Sequence, residues 1–185
     1  ATEHVRFDTD SASIDSAVGL DQSGVAIGDF IVAEGYQGTI GSAVIGYLYI
    51  DPDKFEFAGS GTAYINIMAA AISPKVYKTA AATAGQRGLH LRGTAISVLD
   101  VIGGQVGLAV GAGETSTATT CRVMGNNGSL WLGNGASITN LHVYEGSARV
   151  RCSVSTIIQY GGNIVTEEAG AMTTVTQKGG TYIYQ

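Results

Sequence analysis

Val143-Tyr144-Glu145-Gly146-Ser147-Ala148, Ile158-Gln159-Tyr160-Gly161-Gly162-Asn163-Ile164 and Val175-Thr176-Gln177-Lys178-Gly179-Gly180-Thr181-Tyr182 repeat one pattern within forty residues. Each time an apolar alternation runs into a glycine corner and a second alternation leaves it. Toward the N-terminus the pattern recurs in Val123-Met124-Gly125-Asn126-Asn127-Gly128-Ser129-Leu130 and in Val101-Ile102-Gly103-Gly104-Gln105-Val106. The corner glycines Gly104, Gly128, Gly146, Gly162 and Gly180 follow one another at 24, 18, 16 and 18 residues. Those spacings are uneven, but each matches one coil of a β-solenoid.

Such a coil turns several corners, and a corner residue often needs a positive φ, which glycine adopts without steric cost. Between corners, alternate side chains face inward and stack on the same position of the next coil. Inward Val, Ile and Leu each contribute about 1.5–3 kcal/mol when fully buried. Outward positions carry Ser, Thr, Asn and Arg, as in Ser137-Ile138-Thr139-Asn140-Leu141-His142-Val143. These features predict an all-β protein with a parallel β-solenoid over residues 89–185. Short strands spaced by glycines also fit a β-sandwich or jelly roll. The recurring apolar-x-Gly-Gly-x-apolar corner favours the solenoid.

The first half reads differently. Residues 1–24 are polar and acidic and predict an extended arm, with Asp8, Asp10 and Asp15 as candidate contact residues. Residues 25–88 read as an antiparallel meander followed by a connector. Its strands are Val44–Ile50, Lys54–Phe57 and Thr62–Ile67, with Asp51-Pro52-Asp53 and Gly59-Ser60-Gly61 as reversals. The Ala- and Lys-rich stretch 68–87 has room for a short helical turn, limited by Pro74.

Composition narrows the function classes. Of 185 residues only 14% are charged, 27 are Gly and 2 are Pro. A net charge of −5 argues against a nucleic-acid binder. No apolar run approaches the roughly 20 residues needed to cross a bilayer. The charge is unevenly spread: residues 1–60 hold ten acidic residues against Arg6 and Lys54, while residues 61–185 hold five acidic against eight basic. That split suggests contact between oppositely charged segments of neighbouring molecules. Cys121 and Cys152, with no CxxC and no nearby histidines, read as buried thiols.

Catalytic motifs do not emerge. His4, His90 and His142 carry no His-x-His or HExxH spacing and read as ordinary residues rather than metal ligands, so no metal or cofactor is expected. Gly103-Gly104-Gln105-Val106-Gly107 lacks the Lys-Ser/Thr ending of a phosphate loop. Glu167-Glu168 is the one adjacent acid pair in the repeats, but neighbours on a strand point to opposite faces. Arg149 and Arg151 share a face and suit an anionic sugar or an acidic partner. Trp131 alternates with Leu130 and Leu132, so it faces outward if the leucines face in. Tyr47, Tyr49 and Trp131 are the aromatic candidates for an interface or a sugar platform.

Over residues 89–185, through these corners and the run Leu91-Arg92-Gly93-Thr94-Ala95-Ile96-Ser97-Val98-Leu99, the chain resembles β-helical structural proteins of tailed bacteriophages, especially capsid decoration (cement) proteins. The resemblance implies a non-enzymatic virion protein on the outer capsid surface, made in the host cytoplasm. It implies a homotrimer that bridges subunits of the major capsid protein, contacting neither nucleic acid nor membrane. Tail spikes and adhesins share such coils, so a module that binds or cleaves carbohydrate, with Glu167 and Glu168 as its acids, is the second expectation.

Overall fold

The computed structural model describes residues 3–15, 21–81, 87–167 and 171–185. Its first eight strands are β1 (Glu3–Phe7), β2 (Asp21–Val32), β3 (Leu48–Phe57), β4 (Ala63–Ile67), β5 (Lys75–Val76), β6 (Leu89–Gly93), β7 (Ile96–Val101) and β8 (Gly104–Leu108). There follow β9 (Ser116–Val123), β10 (Gly128–Leu132), β11 (Ala136–Val143), β12 (Ser147–Val150), β13 (Ser153–Gln159), β14 (Asn163–Thr166), β15 (Met172–Gln177) and β16 (Thr181–Tyr184). All pairings between named strands are parallel. The chain is a β-solenoid of about eight turns spanning most of its length. The odd strands from β5 to β15 stack as one wall (wall A), the even strands from β4 to β16 as another (wall B), and β3 belongs to both.

The corner glycines stack as the repeat predicts. Gly104 lies in register with Gly128, and the aligned rungs carry the same corner through Gly146, Gly162 and Gly180. The irregular 24-residue spacing has a local cause. Residues 109–115 stand between β8 and β9 where residues 133–135 suffice between β10 and β11, and the corner at 124–127 is longer than that at 144–146.

Two columns of inward residues run the length of the molecule. On wall A, Phe7, Val32, Phe57, Val76, Val101, Val123, Val143, Gln159 and Gln177 lie one above another. On wall B the column is Ile14, Ile40, Ala63, Leu89, Val106, Leu130, Ala148, Ile164 and Tyr182. Their central members are almost wholly removed from water and belong to a single apolar core. Aromatic rings fill the first coils, where Phe30 stacks on Phe55 at 5.6 Å. At the other end the interior turns polar. Fully buried Gln159 donates its amide N–H to the carbonyls of Gly162 (3.0 Å) and Thr181 (2.9 Å), joining successive corners.

The antiparallel meander expected over 44–67 is not present. Leu48, Tyr49 and Ile50 pair in parallel with Ile65, Asn66 and Ile67, so these segments occupy successive coils rather than the arms of a hairpin. Asp51-Pro52-Asp53 lies inside β3 at the bend where that strand leaves wall B for wall A. Proline and aspartate favour a change of direction, and here they turn a coil corner instead of reversing the chain. Residues 3–7 of the expected arm pair with β2, and Phe7 packs on Phe30 and Tyr36. In the connector, Ile72 and β5 form a rung of wall A, and no helix forms among the described residues.

Gly146 tests the stacking directly. Its φ is +71°, and a Cβ there would overlap the carbonyl oxygen of Gly128 one coil away. Gly113 has a similar φ of +75° but open space around it. The left-handed backbone alone costs an L-residue about 1–2 kcal/mol. Chemical denaturation should therefore show G113A losing about that much and G146A clearly more. Equal losses would mean that the corners do not stack.

Candidate functional site

Outward positions of wall B form a column of Tyr64, His90, Gly107, Trp131, Arg149, Val165 and Ile183. Alternation places these side chains outside the core, yet Tyr64 is only 8% and His90 only 9% exposed. Two projecting loops account for this. Residues 41–47 carry a small antiparallel bridge between Ser42 and Gly46, and residues 109–115 are the insertion after β8. The loops meet where the Tyr47 hydroxyl donates to Glu114 Oε1, while Glu114 Oε2 accepts the Gly111 N–H at 2.8 Å. Between the loops and wall B lies an open cleft of about 950 Å3.

Stacked rings and guanidinium groups dominate this face. Tyr64 and His90 lie nearly parallel, 4.1 Å between centroids, and Tyr47 meets Tyr64 edge-on at 5.4 Å. Gly107 leaves the space beside Trp131 that Val110 and the Arg87 stem occupy. The Arg87 guanidinium sits 3.6 Å from the Trp131 ring centre, with Arg149 at 4.6 Å and Arg151 at 5.2 Å. Arg92 lies 4.8 Å from the Tyr47 ring. Cation–π contacts of this kind are worth about 0.5–2 kcal/mol each according to exposure. Glu167 accepts from Nε of both Arg149 and Arg151. Burial pushes its carboxyl pKa up, but the two arginine hydrogen bonds prevail and hold it below the usual value.

The ionisation pattern follows from the overhang. Burial is the main cause that raises the Tyr47 hydroxyl far above its ordinary value, and the hydrogen bond to the Glu114 carboxylate adds to it. Tyr64 is raised by burial and by the charge of Glu114. His90 is lowered, chiefly by burial, with Glu114 opposing and Arg87 reinforcing the shift. Its Nε2 accepts the Arg87 backbone N–H at 3.3 Å, which fits a neutral ring protonated on Nδ1.

The sequence candidates separate into groups. Tyr47, Trp131 and Arg151 line the cleft, and Arg149 stacks on Trp131 beside it. Tyr49 is on the outer face of β3, paired with Asn66, and does not line it. Asp8, Asp10 and Asp15 lie elsewhere. Asp8 closes the turn after β1 by accepting from Ser11 Oγ (3.1 Å) and the Asp10 N–H (3.3 Å), and Asp10 and Asp15 are exposed. Glu168 is outside the described residues, and Glu167 is committed to the two arginines. Sequence reading does not single out Tyr64 or Arg87; it takes His90 as an ordinary residue and Glu114 only as one of the five acids of residues 61–185, candidates by residue type alone. The 24-residue coil was the available signal, because surplus length at a corner marks a protruding loop.

Away from the cleft, Asp100 and Arg122 occupy adjacent outward positions of wall A and form a two-pronged ion pair at 2.6 and 2.7 Å. Cys121 and Cys152 are buried, unpaired thiols, and burial raises Cys152 to about 12. No group of three or more His, Cys, Asp or Glu suited to a metal ion occurs among the described residues. No helix among them is long and apolar enough to cross a membrane. No protein-family model, curated protein or solved structure matches the chain.

Because His90 binds a proton less readily folded than unfolded, acidification through the ordinary histidine range favours the unfolded state. Stability should fall as pH is lowered from 7.5 to 5.5, and H90Q should flatten that dependence. Parallel pH profiles of wild type and H90Q would refute this assignment. Denaturant midpoints measured across the range provide the comparison.

Proposed function

We propose that this chain is a non-enzymatic structural protein of a tailed-phage virion, which binds the outside of the capsid and stabilises it by bridging subunits of the major capsid protein. The observation that carries the proposal is a stripe along the outer corner of wall A. Tyr77, Ile102, Met124, Tyr144 and Tyr160 each follow the inward residue of their rung, and each donates its backbone N–H to the coil below. They therefore lie in line over five successive coils. Tyr77, Tyr144 and Tyr160 remain 43%, 38% and 39% exposed, and Ile102 and Met124 are half-buried. The Tyr144 and Tyr160 rings stack at 4.7 Å, with Lys178 4.8 Å from Tyr160.

A solvent-facing apolar stripe carries an unfavourable hydration free energy that burial in a protein interface removes. Aromatic residues, tyrosine among them, are enriched in such interfaces. A stripe parallel to the solenoid axis suits side-by-side association, as in a homotrimer, because every coil meets its counterpart. The uneven charge supports the same reading. Coils stack in sequence order, so the acidic first sixty residues form one end of the rod, while the basic excess of the remainder falls in the coils that follow, at Lys75, Lys78, Arg87 and Arg92. A single acidic end gives an elongated protein a defined polarity toward a charged shell.

Quantitative mass spectrometry of purified particles should find this protein near parity with the major capsid protein. A few copies per particle would place it in the tail, and absence would refute a virion role. In the isolated protein, Y144E/Y160E should convert the oligomer to monomer in sedimentation while leaving thermal unfolding cooperative. A wild-type protein that sediments as a monomer at all concentrations would contradict the lateral interface.

A further inference from the structure

We infer that the cleft over wall B binds an acidic oligosaccharide, a chain of sugar rings carrying carboxylates. The inference does not depend on the virion proposal, since the whole cleft belongs to one copy of the chain.

The loop that builds the cleft is surplus to the solenoid. Three residues carry the chain from β10 to β11, whereas 109–115 take seven between β8 and β9. Ordering those additional residues costs conformational entropy. Glu114 helps offset this by bonding to Gly111 within its own loop and to Tyr47 of the opposite one. Both carboxylate oxygens of Glu114 are thereby engaged inside the protein. The cleft volume of about 950 Å3 falls within the range of small-molecule sites.

The lining indicates what fits. Its walls include Gly111, Ala112, Gly113, Gly133 and Gly135, which have little or no side chain, so backbone N–H and C=O groups, with the Asn134 amide, are what they present. That surface suits a ligand rich in hydroxyl groups. Tyr64 and His90, stacked on each other and largely covered, reach the cleft by their edges, and half-buried Trp131 offers the larger aromatic surface against which the C–H face of a sugar ring packs. The charge has a definite sign. Among the described residues, Arg87, Arg92, Arg149 and Arg151 stand on this face with Glu114 and Glu167, in a chain whose overall charge is −5. Guanidinium groups stacked on rings hold a defined plane, which suits carboxylate recognition. An extended acidic peptide fits less well, because it would bind by adding a strand to a free sheet edge. Here β8 and β10 beneath the cleft are each paired on both sides.

The test is calorimetric titration of the full chain at low salt with three probes: hexagalacturonate, its methyl ester and hexaglutamate. The inference expects hexagalacturonate to bind, and its uncharged ester and the peptide to bind at least about tenfold more weakly, a difference of 1.4 kcal/mol. R87Q/R151Q and W131A should each weaken hexagalacturonate binding by about tenfold or more. K178Q, which removes a cation remote from the cleft, should leave binding unchanged. Circular dichroism melts establish that each variant is folded before it is titrated. Absence of hexagalacturonate binding, equal binding of the ester or peptide, or equal loss in K178Q would each overturn the inference.

Discussion

Every feature of this protein depends on stacking in register between successive coils. The wall A column from Phe7 to Val143 is apolar throughout, and each member from Val32 onward rests on one residue above and one below. A single coil cannot bury its own inward face, so stability arises between neighbours and adds along the axis. Register also determines the exterior. A one-residue slip would invert every side chain, sending the Tyr144–Tyr160 stack and Trp131 into the core and exposing the leucines beside Trp131. The surface patterns and the core are thus set by the same constraint.

The C-terminal coils are legible in sequence because their corners are short and regular, so that Gly146, Gly162 and Gly180 fall 16 and 18 residues apart. In the first half the wall B column runs through Ile14, Ile40, Ala63 and Leu89, at intervals of 26, 23 and 26 residues. Loops such as 41–47 lengthen those coils and hide the period. Asp51-Pro52-Asp53 reads as a hairpin turn because local chemistry specifies a bend, not the direction of the strand that will pair beyond it. Whether a strand runs parallel or antiparallel depends on which distant segment lies beside it, and short-range propensity does not encode that. Likewise Val25–Val32 and Leu48–Phe57 carry alternation suited to either arrangement.

The candidate site divides along the same line. The outward orientation of Trp131, Arg149 and Arg151 followed from alternation with Leu130, Leu132, Ala148 and Val150 and was readable directly. Tyr64 and His90 also point outward, but their burial is imposed by loops from residues 41–47 and 109–115, distant in sequence. Glu114 gains its role only through Tyr47, 67 positions earlier. A histidine without a metal-binding spacing gives no sign that a stacked tyrosine and an overhanging loop will keep it neutral. Side chains set by strand period could be read, whereas those set by the meeting of two loops could not.

The direction of the N-terminal rungs bears most directly on whether one solenoid spans the chain. Backbone nuclear Overhauser contacts of Ile50 in isotope-labelled protein resolve it. Parallel stacking predicts contacts between Ile50 and Ile67, with Tyr49 beside Asn66 and Leu48 beside Ile65. Contacts from Ile50 to Lys54 across a tight turn at Pro52, without those to Ile67, would instead show a hairpin and contradict a continuous solenoid.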